Sequence, residues 1–214
     1  MKHGRVLLGA AAWISTVQFF VVGVIVASRW SNPSYDYRLN TISSLGVTSC
    51  LTQGNLYICS PWHTAANVSW AVSGCCMAAG ALLTAPAFPR GRVARCGLWL
   101  FGASGAGLVV VGLNPDNLRG GLHGAGATVS LVGGDLALIV LGLALRRARQ
   151  WGRLGPVGLL LGVAGLIALP LMLVFQRSAE GLLERVSAYP IIVFYILFGI
   201  AIVRTRPEIT QMVE

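Results

Sequence analysis

Two histidines, His63 and His123, stand at the ends of long apolar runs, and His123 follows a polar turn written Asn114-Pro115-Asp116-Asn117. A carboxylate that orients or charges an imidazole is the pairing used in general-base chemistry and around metal ligands. Asp116 and His123 are spaced for that pairing; the same residues also suit a turn and a helix start. Glu184-Arg185 offers a second acid, as a proton donor or metal ligand, and a guanidinium able to hold an anionic head group, or else an interfacial ion pair that fixes helix depth. Asp36, Asn40, Ser43 and Ser44 recur at helical spacing, so a helix over Tyr35–Leu45, stopped by Gly46, would put them on one polar face. That face is either the wall of a pocket or a solvated surface. Ser43 and Ser44 are the hydroxyls within the set that could act as nucleophiles.

Asp135 is different in kind. It follows Gly133-Gly134 deep in an apolar run, and an acid inside a membrane span marks a functional position by default. Without a cationic neighbour it is expected to be protonated or hydrogen-bonded to another helix, by a group such as Gln18 or Ser104. Cys50 and Cys59 share one loop and predict a disulfide; Cys75 and Cys76 sit mid-span, where they act as small apolar residues. The chain has no H-E-x-x-H, G-x-S-x-G or G-x-x-x-x-G-K-[ST] signature and no aspartate-rich prenyl-diphosphate motif. His63, His123 and a carboxylate from Asp116 or Glu184 could hold Zn²⁺ in principle, but no ligand spacing supports it, so no metal or other cofactor is expected.

The elements that position these residues follow from hydropathy. Of 214 residues, 55% are apolar and only 11% charged, with a mean hydropathy of +0.72. A soluble domain carries about 25% charged residues, so soluble, disordered and coiled-coil classes are excluded. A span needs about 20 apolar residues to cross a ~30 Å hydrocarbon core. Six runs qualify: 6–28, 64–85, 96–113, 122–145, 155–175 and 186–203, within a single domain over 1–214. The first follows Met1-Lys2-His3-Gly4-Arg5 and is too long for a signal peptide, so it is expected to remain as a span.

Six spans put both termini on one side. That side collects Lys2, Arg5, Arg90, Arg92, Arg95, Arg146, Arg147, Arg149, Arg153, Arg204 and Arg206, eleven of the 16 basic residues. Arg29, Arg38, Arg119, Arg177 and Arg185 lie on the other. The positive-inside rule therefore predicts cytoplasmic termini, with the net charge of +9 a topology signal and no reason to expect nucleic-acid binding. Asp36, Asp116, Glu180 and Glu184 fall on the outer side against five Arg, so mixed charge there favours ion pairs or a polar cavity over a steering field. Trp62 and Tyr189 fit an aromatic belt.

The outer loop 29–63 is long, aromatic-rich and holds Cys50 and Cys59, which predicts order. Small-residue ladders at Gly126-Ser130-Gly134, Gly158-Gly162 and Ala103-Gly107 predict close helix packing, within the chain or between copies in a homo-oligomer. Pro170 predicts a kink in the fifth span.

Several stretches together resemble the bacterial and archaeal domain-of-unknown-function 998 family of six-span membrane proteins. They are Tyr35 with Asn40-Thr41-Ile42-Ser43-Ser44-Leu45-Gly46, Asn114-Pro115-Asp116 with Leu122-His123-Gly124-Ala125, Gly133 to Leu138, and Gly181 to Pro190 with its Gly-x-x-Glu-Arg pattern. The resemblance implies six helices, termini inside, and a distant relation to DRAM-like proteins, some linked to lipid handling; it implies no activity. The chain departs from the family pattern at Pro115-Asp116, where Pro-Glu is expected, and at Gly134-Asp135, where Gly-Asn is common.

The expectation is an all-α six-helix bundle with a pocket at its outer face, roofed by the disulfide-bearing loop. Asp36, Asn40, Ser43, Ser44, Arg185 and Tyr189 would bind a lipid or amphiphile, with membrane lipids as partners. Alternatively His123, Asp116 and Glu184 would serve a membrane-embedded hydrolase or transferase, with His123 as base. A third reading is a proton-coupled carrier using Asp135.

Overall fold

The computed structural model describes residues 2–146, 148 and 151–204. Arg147, Arg149 and Arg206, used above to orient the chain, lie outside the described residues. Among the described residues seven α-helices form: α1 (Lys2–Ser15), α2 (Gln18–Ala27), α3 (His63–Thr84), α4 (Arg92–Leu113), α5 (Asp116–Leu145), α6 (Leu154–Val174) and α7 (Glu180–Arg204). With α1 and α2 counted together, six are long and apolar enough to cross a membrane. Their outward positions carry large apolar side chains, among them Leu8, Leu82, Trp99, Leu160 and Leu173, as expected where lipid replaces water.

The first span is not one helix. The Ser15 hydroxyl donates to the Ala12 carbonyl (2.8 Å) and the Thr16 hydroxyl to that of Trp13 (2.6 Å). Hydroxyls that bond back to the preceding turn bend a helix, and here the backbone tightens to i−3 bonds between Thr16 and Phe20. The break turns Gln18 inward, where its amide donates to the Ser69 carbonyl (2.9 Å) and the Ser73 hydroxyl (2.5 Å) of α3.

The sixth span starts earlier than hydropathy indicates. Leu182-Leu183 and Val186 are apolar enough to carry α7 back to Glu180, so Glu184 and Arg185 sit inside the helix and are buried. α5 also starts earlier, with a single non-helical residue at Arg119 that separates the Asp116–Leu118 turn from the long helix.

One end of the bundle is packed with aromatic rings. Trp13 is fully buried among Phe88, Phe101, Tyr195 and Phe198, and its indole N–H donates to the Met77 carbonyl (3.0 Å). Edge-to-face and offset packing of this kind adds about 0.5–1.5 kcal/mol per pair beyond area burial. Small residues bring the helices together: a Cβ on Gly107 would meet the Gly126 carbonyl and Ser130 amide at 2.6 Å, and one on Gly162 would strike the Asp135 carbonyl at 2.5 Å. Gly134 faces Ile191 and Gly158 faces Phe194, so these ladders pack inside the chain; Ala103, expected to pack with Gly107, is exposed instead.

At the other end the segment 28–62 folds back over the bundle. Residues Tyr35–Leu45 do not form a helix; they run through turns into a 3-10 turn, Ser43–Gly46. The turn is pulled down onto α3 by the Asn67 amide, which donates to the Gly46 carbonyl (2.8 Å). A hairpin follows that sequence reading did not anticipate: β1 (Leu51–Gln53) pairs antiparallel with β2 (Leu56–Ile58). Its two-residue connection is Gly54-Asn55, with Gly54 at φ +59° and Asn55 not at positive φ, which is the type II′ arrangement. Cys50 and Cys59 flank the paired strands and are joined by a disulfide. Cys75 is exposed on the outside of α3, and Cys76 is partly buried.

Candidate functional site

Between the Ser43–Gly46 turn, the hairpin and the ends of α5, α6 and α7 lies a chamber of about 690 Å³. Gln53, Asn55, Leu56 and Ile58 of the hairpin form one wall. Ser43, His123, Asp116, Glu180, Glu184 and Arg177 contribute polar groups, and Ala127, Leu131 and Met172 an apolar floor. Three carboxyl groups face one guanidinium and one imidazole, so the formal charge of the lining is acidic.

Ser43, His123 and Glu184 come together within it. His123 is buried one turn inside α5, below the break at Arg119. Its Nδ1 lies 2.9 Å from the Asn114 carbonyl and its Nε2 lies 2.9 Å from the Ser43 hydroxyl. A carbonyl oxygen only accepts, so Nδ1 carries the proton. In the neutral ring Nε2 is then an acceptor, and the Ser43 hydroxyl donates to it. The orienting group is thus the Asn114 carbonyl; Asp116, expected in that role, lines the chamber without bonding to the ring. Asn114 is held in turn by its own side chain, whose amide donates to the Val110 carbonyl (2.8 Å) at the end of α4.

Glu184 reaches the same turn from α7. One carboxylate oxygen accepts the Ile42 backbone N–H and the other lies 3.5 Å from the Ser43 hydroxyl. A carboxylate buried in the first turns of α7 is thereby matched to the start of the 3-10 turn that presents Ser43.

Arg185 goes elsewhere. Its Nη1 donates to the carbonyls of Tyr37 (2.9 Å), Asn40 (2.9 Å) and Gly181 (2.6 Å), its Nη2 to the Tyr35 hydroxyl, and its Nε to the Tyr189 hydroxyl (3.2 Å). The rings of Tyr35, Tyr37 and Tyr189 surround it at 5.1–5.9 Å. The guanidinium is a clamp on the loop, and it borders a separate groove of about 230 Å³ with Tyr189. Gly181 is where a side chain would collide with the Asn40 carbonyl, so the glycine of the Gly-x-x-Glu-Arg pattern lets the loop seat on α7. Burial pushes the Tyr35 phenol above its ordinary range, against the lowering pull of Arg185. The phenol therefore stays protonated and donates to the Thr41 carbonyl (2.7 Å).

The remaining predicted residues separate from this set. Asp36 is exposed and caps a turn, accepting the Arg38 N–H (2.7 Å), while Asn40 is buried and accepts the Asp36 N–H (2.9 Å) through its side chain. Ser44 lines the chamber and bonds to the Thr41 hydroxyl (2.9 Å). Asp135 is fully buried at the α5–α6–α7 contact; it accepts from the Ser187 hydroxyl (2.6 Å), and neither Gln18 nor Ser104 reaches it. Its Oδ1 has no partner and rests against Gly165. Among the described residues no group of three or more His, Cys, Asp or Glu could hold a metal ion.

Sequence reasoning missed Asn114 as the orienting group, because a backbone carbonyl leaves no mark on residue type. It also missed the hairpin, although Gly54-Asn55 between Gln53 and Leu56 is a recognisable turn signal.

The fold and the site define a polytopic helical membrane protein with a polar cluster at one end of the bundle. The chain belongs to the family described as a protein of unknown function (DUF998), which matches residues 9–201. Neither the curated proteins nor the solved structures contain a match to it.

Proposed function

We propose that the chamber takes the polar end of a membrane amphiphile, with the bundle standing in a bacterial inner membrane and the chamber at its extracytoplasmic face. The observation that carries this reading is a volume of about 690 Å³ with polar walls and an apolar floor at the end of a membrane bundle. Sites in such bundles form between helix ends, where a few polar groups converge on a largely apolar cavity. Three carboxyl groups against Arg177 disfavour an anionic head group. A neutral or zwitterionic polar end fits better. Arg185, given to the loop carbonyls of Tyr37 and Asn40, supports the loop and leaves head-group recognition to the chamber. The excess of Lys and Arg at the terminal side supports the orientation.

Native mass spectrometry of the protein transferred from membranes into lipid nanodiscs tests this. A retained amphiphile is expected, and Leu131→Trp, which fills the floor, is expected to lower its occupancy at least about tenfold, or about 1.4 kcal/mol. An empty protein, or unchanged occupancy in a folded Leu131→Trp variant, would overturn the reading.

A further inference from the structure

Resting on the reading that the chamber takes an amphiphile, we propose that Ser43 and His123 are a nucleophile and its base, and that the protein cleaves an ester of a short acyl chain. The arrangement meets the geometric requirement for an activated hydroxyl. The nucleophile and base are 2.9 Å apart, and the base is held by a third group at 2.9 Å in the tautomer that presents a lone pair to the hydroxyl. The Asn114 carbonyl replaces the usual carboxylate and fixes the same tautomer.

A structural tether would explain the Ser43–His123 bond only if the turn needed one. It does not. The Ile42 amide is held by Glu184, the Leu45 carbonyl by the Ser60 hydroxyl (2.7 Å), the Gly46 carbonyl by Asn67 (2.8 Å), and Ser44 by Thr41 (2.9 Å). The turn is fixed at every residue around Ser43, while Ser43 itself remains half-buried with its hydroxyl on the imidazole.

Ser43 also stands where two spaces meet. It lines the polar chamber and, with Glu184, Ala127 and Leu131, a narrow apolar crevice of about 50 Å³ that runs down between Phe19, Trp70, Leu108 and Ile191. About 10–15 Å³ of such space holds one water-sized group, so the crevice takes roughly four carbons. A substrate with its polar part in the chamber and a short acyl chain in the crevice places the ester carbonyl at Ser43.

The chemistry balances with water as co-substrate. The Ser43 oxygen attacks the acyl carbon as its proton passes to His123 Nε2. The ester C–O bond breaks and the departing alkoxide takes that proton from His123. Water then attacks the acyl-serine, giving a proton to His123. The bond from acyl carbon to Ser43 breaks, the acid leaves and the proton returns to the serine oxygen. Glu184 acts as a positioning residue through Ile42.

An alkyl fluorophosphonate, which phosphonylates activated serines, provides the test on the protein in nanodiscs. One adduct per chain is expected, on the peptide containing Ser43. Ser43→Ala abolishes it, while Ser34→Ala, in the exposed loop, leaves it unchanged. His123→Gln slows labelling by roughly 10²-fold or more. Unchanged size-exclusion profiles and thermal midpoints separate these outcomes from misfolding. p-Nitrophenyl butyrate is expected to turn over faster than p-nitrophenyl laurate. Absence of a Ser43 adduct on protein that still retains an amphiphile overturns the dyad and leaves the binding reading standing. Labelling of Ser43 that ignores His123→Gln overturns the base assignment. Protein that retains no amphiphile and takes no label overturns both.

Discussion

At the scale of single residues the division of labour between neighbours is sharp. Glu184 and Arg185 are adjacent in sequence but about 100° apart around α7, so one faces the chamber and the other the loop. Arg185 satisfies three carbonyls at once, and a hydrogen bond to a charged donor contributes about 1.5–3 kcal/mol. Arg185→Ala is therefore expected to destabilise the loop by at least about 2 kcal/mol, seen as faster limited proteolysis within residues 35–45 and a lowered thermal midpoint. Tyr35 adds a pH condition to the same clamp. Its raised folded-state value means its contribution is fully present below about pH 10, where a free phenol titrates, and is lost only as pH rises through that raised value. The difference in loop protection between the wild type and Tyr35→Phe is thus expected to stay constant from pH 6 to 9, and a change in that difference within the interval would contradict the assignment.

Elements carry the next level of order. The hairpin exists because Gly54 supplies a positive φ that a two-residue connection requires, and because the flanking cysteines close it. A disulfide closing a loop of about ten residues contributes about 2–3 kcal/mol by restricting the unfolded chain. Replacing both Cys50 and Cys59 by Ser is expected to open the hairpin wall of the chamber, with proteolysis near Gly54 as the readout and the helical circular dichroism unchanged. The break in the first span has a comparable logic: two hydroxyls tighten the backbone, and the reward is a polar contact from Gln18 to α3. α4 and α5 meet through Gly107 and Gly126, so neither helix can carry a larger residue there without separating.

The whole molecule is polarised along the bundle axis. Aromatic rings fill the end near Trp13, and the opposite end keeps a polar chamber under a folded-back loop. That polarity aligns with the distribution of Lys and Arg, and the two together make a topological prediction. A short epitope inserted between Gly54 and Asn55 should be reached by antibody on spheroplasts with an intact inner membrane, and one at the N-terminus only after permeabilisation. The reverse pattern would put the chamber in the cytoplasm.

Hydropathy and small-residue spacing are local properties of the chain, and they determined the six spans, their approximate ends and that Gly107 and Gly126 serve close packing, though not that they meet each other. The disulfide was legible for the same reason, since both cysteines lie in one loop. Residue types also marked His123, Glu184 and Ser43, because polar groups at the edges of apolar runs are few. Tertiary structure alone decided their partners. The helix expected over Tyr35–Leu45 lost to side chains from a distant helix, Glu184 and Arg185, which bind its backbone groups in an irregular path, while Asn67 of α3 holds Gly46 just beyond it. Asn114 could not be found from its side chain, because the atom that orients His123 belongs to the backbone. Backbone groups are the same at every position, so which carbonyl meets which imidazole is settled only when helices pack.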